Sequence, residues 1–221
     1  MLDQLGRWDA HNVTEDADLG VRLHRAGYRC EMLDATTYEE ANFRFIPWIK
    51  QRSRWLKGFL ITWITHIKKP ITLYRELGLF SFLAFNVMFF GAVSAYLVAP
   101  IILPLWLISF GVTLPIYSDI PQDTLIIIIY GFFATEILLG ILAIAALKTQ
   151  HLREHWPFVF SLFLYWPIGS IAAYKAVFEL IFAPSYWDKT PHGINDKSFD
   201  TSISNLTKSS LNIQSDFTAL H

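Results

Sequence analysis

The distribution of apolar and polar residues divides the chain into three parts. Residues 77–183 are mostly apolar, whereas residues 1–76 and 185–221 have an ordinary or polar composition. A soluble core cannot bury apolar runs of this length, and a helix needs about 20 such residues to cross a bilayer. The pattern therefore predicts an α-rich membrane protein.

The apolar part, residues 77–183, is expected to contain three or four transmembrane helices. The stretch 77–114 is nearly twice as long as one span requires, and Pro100 and Pro104 interrupt it. It is predicted to form two helices, at about 79–98 and 101–117, with one long kinked helix as the alternative.

Two further apolar stretches follow. Residues 124–147 are predicted to form a clean span. Residues 157–182 are also apolar, but their second half carries Lys175 and Glu179, which are spaced so that they can pair on one helix face. That half is either transmembrane or interfacial.

The loops give conflicting indications of topology. Loop 148–156 is basic, and cytoplasmic loops carry an excess of Lys and Arg. Loop 117–123 carries Asp119 and Asp123 and no cation. Four full spans would place the acidic loop in the cytoplasm and the basic loop outside, whereas a single kinked first helix would reverse both. We expect four membrane segments, followed by a cytoplasmic tail, residues 195–221, whose polar composition predicts disorder.

The first polar part, residues 1–45, contains a predicted helix and strand. Thr14 is a plausible N-cap, and the acids that follow it would lie in the first turn, where the helix dipole favours negative charge. Gly27 fits the C′ position, so the helix should end at about Ala26. Residues 28–35 have the pattern of a short strand. This part is too short for a core of its own and is interpreted as the end of a larger α/β domain.

Residues 46–76 are predicted to form a basic amphipathic helix at the membrane surface. Pro47 can begin the helix at N1, and apolar residues recur every three or four positions, the helical period. Basic helices rich in Trp and Phe are typical of the bilayer surface, and the charge marks this side as cytoplasmic. Residues 41–75 contain eight cations and no acid: Arg44, Lys50, Arg52, Arg54, Lys57, Lys68, Lys69 and Arg75.

Two groups of side chains are candidates for chemistry. Asp16, at the predicted helix start, could act as a general base on a sugar hydroxyl, although first-turn acids more often only stabilise their helix. Arg52 and Arg54 could bind phosphates through their guanidinium forks, or form a basic surface that faces the membrane. Trp55 could stack on a sugar ring or anchor the helix at the interface.

Together these groups resemble a known family. Thr14-Glu15-Asp16 is followed 35 residues later by Gln51-x-x-Arg54-Trp55, and then by membrane helices. This order resembles the C-terminal part of the family 2 processive glycosyltransferases, the group of the cellulose, hyaluronan and poly-N-acetylglucosamine synthases. The sequence Trp187-x-Lys189-Thr190-x-His192-Gly193 is similar to a C-terminal loop of bacterial members.

The resemblance implies the remnant of a GT-A-type α/β domain and an inverting transfer of sugar from a nucleotide-diphosphate sugar to a growing glycan. Asp16 would be the general base. The acceptor and the diphosphate would be bound by Glu15, Gln51, Arg52, Arg54 and Trp55. A gating loop, residues 184–194, would close over the site through Trp187, Lys189, Thr190 and His192.

The resemblance also implies Mg²⁺ or Mn²⁺, a bacterial inner-membrane location with the catalytic side in the cytoplasm, and an export partner for the product. A nucleic-acid partner is not expected. The family's Asp-x-Asp metal motif lies upstream of the residues matched here, and Asp16-Ala17-Asp18 is the wrong one by position, so the metal ligands are not expected in this chain. The chain is therefore expected to be a C-terminal fragment, or a truncated reading frame, that is inactive alone. The non-catalytic alternative is a membrane anchor or channel module.

Three other features of the sequence concern ionisable or reactive side chains. Glu136 lies at the middle of a predicted span, where an ionisable group indicates either function or a protonated or hydrogen-bonded Glu packed between helices. His151 and His155 lack the adjacent Glu of a His-Glu-x-x-His site, so no zinc site is expected. Cys30 is the one cysteine, which excludes an internal disulfide.

Overall fold

The computed structural model describes residues 6, 8, 12–31, 33, 42, 44–149, 152–186 and 188. These residues all belong to the first of two compact units, residues 1–188, and the second unit, 189–221, lies outside them. The described part of the chain is helical and contains no β-strand. Its α-helices are α1 (Glu15–Arg25), α2 (Phe45–Ile67), α3 (Pro70–Phe85), α4 (Ala92–Ile102), α5 (Leu105–Ser109), α6 (Gln122–Thr149) and α7 (Leu162–Phe182). A π-helical segment (Asn86–Gly91) joins α3 to α4, and 3₁₀ segments cover Pro115–Tyr117 and Arg153–Ser161.

The first helix, α1, ends where the sequence predicts. Gly27 has φ +82°, and its N–H donates to the carbonyl of His24 at 2.9 Å. The N–H of Tyr28 donates to the carbonyl of Leu23 at 3.0 Å, which completes a Schellman motif. At the other end Thr14 precedes the helix, but its side chain makes no capping hydrogen bond.

The strand predicted at residues 28–35 is wrong where the structure describes it. Residues 28–31 and 33 are irregular, and Cys30 is exposed among them. A strand needs a partner to be stable, and the described residues offer none. The GT-A remnant predicted for residues 1–45 is therefore represented in the described residues mainly by α1.

Helix α2 is the centre of the structure. It is about 35 Å long and packs one face on α4 and α7. The alanines of α7 permit this close approach, and the shared core contains Ile49, Leu56, Leu60, Val93, Ala172, Ala173 and Ala176. Helices α1 and α3 pack on another flank of α2. The single interfacial helix predicted for residues 46–76 is thus divided between α2 and α3, and most of α2 is covered by protein.

Helix α3 changes direction at Gly78, which has φ +74° and ψ 171°. Before this residue, Leu73 and Leu77 are buried against Phe85 and Phe89. After it, the chain begins the apolar run predicted to start at about residue 79. Gly78 therefore separates a short helix that packs on α1 and α2 from the first membrane helix.

Three helical stretches are long and apolar enough to cross a membrane: Pro70–Ile102, Gln122–Thr149 and Arg153–Phe182. The break predicted at Pro100 is wrong, because α4 continues through it. A proline at this position cannot donate to the carbonyl of Tyr96, four residues earlier. The hydroxyl of Ser170 lies 2.7 Å from that carbonyl oxygen and 2.8 Å from the carbonyl oxygen of Trp166, so the two carbonyls share its one proton. A neighbouring helix thus satisfies the group that the proline leaves free.

The second predicted helix of that stretch, residues 101–117, does not form a span. Helix α5 has only five residues, and Gly111, with φ +86°, follows in a turn. The hydroxyl of Tyr117 donates to the carbonyl of Ile101, so the chain returns to the end of α4. The first membrane helix is therefore one kinked helix that is not followed directly by a second crossing.

Helices α4 and α7 run in opposite directions. Tyr96 packs on Gly169, where a Cβ would lie 2.1 Å from its ring, and Val93 packs further along α7 in the core around Ala176. The end of α7 lies against α2, whereas its start contacts α5, with the rings of Trp106 and Phe163 6.4 Å apart. Residues 103–161 therefore connect the end of α4 to the start of α7, at the end of the bundle away from α2.

Helix α6 has no buried residue and contacts the bundle through the rings of Phe132 and Phe133, which pack on Trp106. Its apolar, exposed surface is the composition expected of a helix in lipid. Glu136 is half-buried one turn further along, and among the described residues no side chain pairs with it. The helix-to-helix hydrogen bond that was one interpretation of Glu136 is absent from this part of the chain.

Candidate functional site

The start of α1 is fixed on α2 by contacts on both sides of Asp16. Before the helix, the amide of Asn12 donates to the hydroxyl of Thr62 at 2.7 Å. Inside the helix, Asp18 and His66 form a hydrogen bond of 2.9 Å. The Thr14-Glu15-Asp16 motif is thereby held against the second half of α2.

Thr14 lies directly over Gly58. A Cβ at Gly58 would lie 2.6 Å from Oγ1 and 2.7 Å from Cγ2 of Thr14, so only glycine permits this approach. On α2, residues 51, 54, 55 and 58 lie on one face because their spacing is three, four and seven. Arg54 is about 6 Å and Gln51 about 10 Å from Gly58 along the helix axis. The structure therefore brings the first motif beside the face of α2 that carries the second.

Asp16 is exposed at this junction. Its carboxylate accepts a hydrogen bond from the N–H of Ala17 at 2.8 Å, and no described cation pairs with it. Glu15 beside it is half-buried. A carboxylate that is accessible and unpaired can accept a proton from a hydroxyl brought to it, which is what a general base requires.

The two arginines of the second motif differ in their surroundings. Arg54 is half-buried, its Nη1 donates to the carbonyl of Asp188 at 3.4 Å, and its Nε is buried with no hydrogen-bond partner among the residues that the structure describes. Arg52 is exposed, and its guanidinium lies 5.2 Å from the ring of Trp48 and 4.7 Å from that of Trp55. Arg54 thus directs its guanidinium towards residue 188, while Arg52 is stacked on aromatic rings at the surface.

A cluster of charges joins α2 to the end of α7. Lys57 is only 1% exposed, and its ammonium donates to the carbonyls of Ala183 at 2.9 Å and Tyr186 at 2.5 Å. Asp188 accepts from Lys175 at 2.7 Å, and Lys50 is 3.6 Å away from it. These contacts fasten the first residues of the predicted gating loop to α2.

Burial lowers the pKa of Lys57, an effect that Glu179 partly opposes. For Asp188, burial acts to raise the pKa, but hydrogen bonds from Lys175 and Tyr186 outweigh it, and the pKa is lowered. The same balance lowers the pKa of Asp18, where the bond to His66 opposes burial. Both carboxylates are therefore held in the charged state.

Sequence reasoning identified only part of this cluster. The predicted pairing of Lys175 with Glu179 is confirmed. Lys57 was counted as part of a basic surface, and Asp188 was not considered. The sequence contains one local indication of this difference. Lys57 follows Arg52 by five residues, so the two cations lie on opposite sides of α2. The predicted gating residues Trp187, Lys189, Thr190 and His192 lie outside the described residues, as does His151.

No group of three or more His, Cys, Asp or Glu that could bind a metal ion occurs within the described ranges. The Mg²⁺ or Mn²⁺ that the family resemblance implies has no fitting ligand set there.

Two curated proteins are similar to part of the chain. A probable glycosyltransferase, YdaM of Bacillus subtilis (strain 168), is 26% identical over 100 residues, which is 43% of this chain and 24% of that protein. The beta-monoglucosyldiacylglycerol synthase of Synechocystis sp. is 33% identical over 87 residues, 37% of this chain and 18% of that protein. The matches thus span about a quarter or less of each relative, and no solved structure matches the chain.

The model of the glycosyl transferase family group 2 matches residues 1–147. The match includes α1, α2 and the face where they meet. Since it covers well over half of the 221 residues, the chain belongs to the family 2 glycosyltransferases.

Proposed function

We propose that the chain forms the acceptor side of a membrane glycosyltransferase that transfers a sugar from a nucleotide-diphosphate sugar, with inversion at the anomeric carbon. Asp16 is the general base. Arg54 binds the leaving diphosphate, and Gln51 and Trp55 bind the acceptor. Glu15 and Arg52 line the edge of the same site.

In the proposed step, the carboxylate of Asp16 removes the proton from the acceptor hydroxyl. The hydroxyl oxygen then forms a bond to the anomeric carbon from the side opposite the diphosphate. The bond between that carbon and the diphosphate oxygen breaks, and its electron pair leaves with the nucleoside diphosphate. Arg54 stabilises the charge that develops there, since a guanidinium fork matches phosphate oxygens.

The observation that carries this proposal is that the contact of Thr14 with Gly58 brings Asp16, an acid without a described ion-pair partner, beside the face of α2 that carries Arg54, whose Nε has no hydrogen-bond partner among the described residues. Asp16 follows two residues after Thr14, which contacts Gly58, and Arg54 is one turn before Gly58 on the same face of α2. A buried donor without a partner costs free energy, so the unpaired Nε of Arg54 favours an anionic ligand at this position.

The acceptor is a glycan or a lipid. The family resemblance favours a growing polysaccharide, whereas the name of the Synechocystis relative refers to a glucosylated diacylglycerol. The apolar helices that follow α2 suit either acceptor, because they place the site beside the bilayer. We further propose that α2, the site and residues 183–188 are cytoplasmic.

The test is sugar transfer in membrane vesicles supplied with radiolabelled nucleotide sugars, by the full-length protein in which this chain is joined to the nucleotide-binding half that the family resemblance implies. Asp16→Asn should abolish transfer, while its matched control Asp123→Asn should not. Both acids are the second residue of their helix, so both substitutions change the interaction with the helix dipole equally. Equal activity in the two variants would reject Asp16 as the base and favour a non-catalytic anchor or channel.

A second pair of variants tests the diphosphate site. Arg54→Ala should lower kcat/KM for the nucleotide sugar by about 10²-fold or more, because a buried charge-assisted contact to phosphate is lost. Arg52→Ala removes the same charge from the surface of the same helix and should have a much smaller effect. The assignment would be wrong if Arg52→Ala were the more damaging of the two.

A further inference from the structure

A chain of polar contacts connects α1, α2 and α3 beneath the candidate site. Asp18 is 4% exposed and accepts from Nε of Arg22 at 2.8 Å and from His66 at 2.9 Å. His66 is also 4% exposed, and its Nδ1 lies 2.8 Å from Nη1 of Arg25. Arg25 in turn donates from Nε to Glu76 at 2.6 Å.

The partners determine the tautomer of His66. An arginine guanidinium only donates, so Nδ1 of His66 must accept the bond from Arg25. Nε2 therefore carries the proton and donates it to Asp18. The bonds run in one direction, from Arg25 through His66 to Asp18, and each buried polar group in this path has its partner.

The geometry makes Asp16 sensitive to this path. Thr14 is fixed over Gly58 and Asp18 is fixed on His66, and these two anchor points are about 6 Å apart along α1. Asp16 lies midway between them. If the anchor at Asp18 is lost and that turn moves by about 1 Å, Asp16 moves by about half as much, which is the tolerance usual for a catalytic group.

We propose that Asp18 and His66 are positioning residues that hold Asp16 in place for the transfer, with Arg25 and Glu76 extending the path to α3. This inference rests on the proposed function. Neither residue is exposed enough to contact a substrate, so both act through the placement of α1. Because Glu76 lies two residues before the turn at Gly78, the path connects the general base to the start of the first membrane helix.

The test compares two substitutions of His66 in the same full-length protein. The amide nitrogen of His66→Gln can take the place of Nε2 and keep the bond to Asp18. The shorter His66→Asn can keep an acceptor near Nδ1 for Arg25 but cannot reach Asp18. We expect His66→Asn to lower kcat about tenfold, with KM for the nucleotide sugar changed less than about twofold, and His66→Gln to stay within about threefold of wild type.

Rates are expressed per folded molecule, and amide hydrogen exchange of α1 provides a readout independent of activity. Faster exchange across α1 in His66→Asn than in His66→Gln supports the proposal. Equal kcat values in the two variants, or a loss explained entirely by less folded protein, overturn it. If Asp16→Asn abolishes transfer and His66→Asn does not lower kcat, the positioning role fails while the proposed function stands. If Asp16→Asn remains active, the proposed function itself fails.

Discussion

Replacing Gly58 by alanine tests the contact on which the site depends. Gly58 lies in the middle of α2, where alanine is normally the better helix former by about 1 kcal/mol. Here, however, the added Cβ would lie 2.6 Å from Oγ1 and 3.1 Å from Cβ of Thr14. The substitution should therefore be harmful at a position where helix propensity alone predicts a gain.

The required movement follows from these distances. Ordinary contact begins at 3.4 Å, so Thr14 and α2 must separate by about 0.8 Å. Thr14 cannot rotate away freely, because it is buried and both its N–H and its hydroxyl donate to Asn12, at 3.1 and 3.3 Å. Overpacking of this kind costs about 1–3 kcal/mol. A shift of about 1 Å at a catalytic group can lower the rate about 10²-fold, so we expect at least a tenfold loss.

The assay is sugar transfer in vesicles together with thermal unfolding of the detergent-solubilised protein. Gly20→Ala is the matched control, since Gly20 lies inside α1 and a Cβ there meets no atom within 4 Å. The control should be as stable as wild type or more so, with unchanged transfer. Wild-type transfer by Gly58→Ala would show that the contact with Thr14 does not determine the position of Asp16.

Three further predictions concern the frame around the site. Gly78→Ala should lower the free energy of unfolding by about 1–3 kcal/mol, because φ +74° with ψ 171° is essentially restricted to glycine. Gly131→Ala in α6, where a Cβ meets no atom within 4 Å, should not lower it. Thermal unfolding in detergent compares the two variants, and equal melting temperatures would contradict the prediction. Lys57→Met should lower the free energy of unfolding by about 1.5–3 kcal/mol and speed proteolysis after α7, since the carbonyls of Ala183 and Tyr186 lose a charged donor. Unchanged cleavage would show that Lys57 does not hold residues 183–186. Cysteines introduced at Lys69 and Asp119 should react with an impermeant reagent from opposite sides of the membrane, because Pro70–Ile102 lies between them and Tyr117 bonds to the carbonyl of Ile101; labelling from one side would contradict a crossing by this stretch.

The parts of the structure that could be predicted from sequence have local causes. The end of α1 follows from Gly27, whose left-handed conformation is a property of that residue. The helical course of α2 follows from apolar residues repeated every three or four positions. Each of the two motifs that indicate the family is likewise a short run of neighbouring residues, so it can be recognised without knowing its contacts in the fold.

The rest depends on contacts between residues far apart in sequence. Pro100 was predicted to end a helix, but α4 continues through it, and the carbonyl of Tyr96 that the proline leaves free lies 2.7 Å from the hydroxyl of Ser170, 74 residues later. Gly78 was not singled out, yet it is the residue at which the chain turns into the first span. Lys57 reads as one more surface cation until its partners beyond α7 are known. In each case the local pattern is the same with or without the partner.

The buried ammonium of Lys57 also has a consequence for biosynthesis. Its first acceptor, the carbonyl of Ala183, is 126 residues later in the chain, so a ribosome working at about 5–20 residues per second needs roughly 6–25 s to supply it. During that interval this charge must remain hydrated or be held by another factor, and α2 cannot reach its final environment. The proposed acceptor side is therefore completed only after α7 has been synthesised, so under the proposed function a nascent chain could not act on a nucleotide sugar before that point.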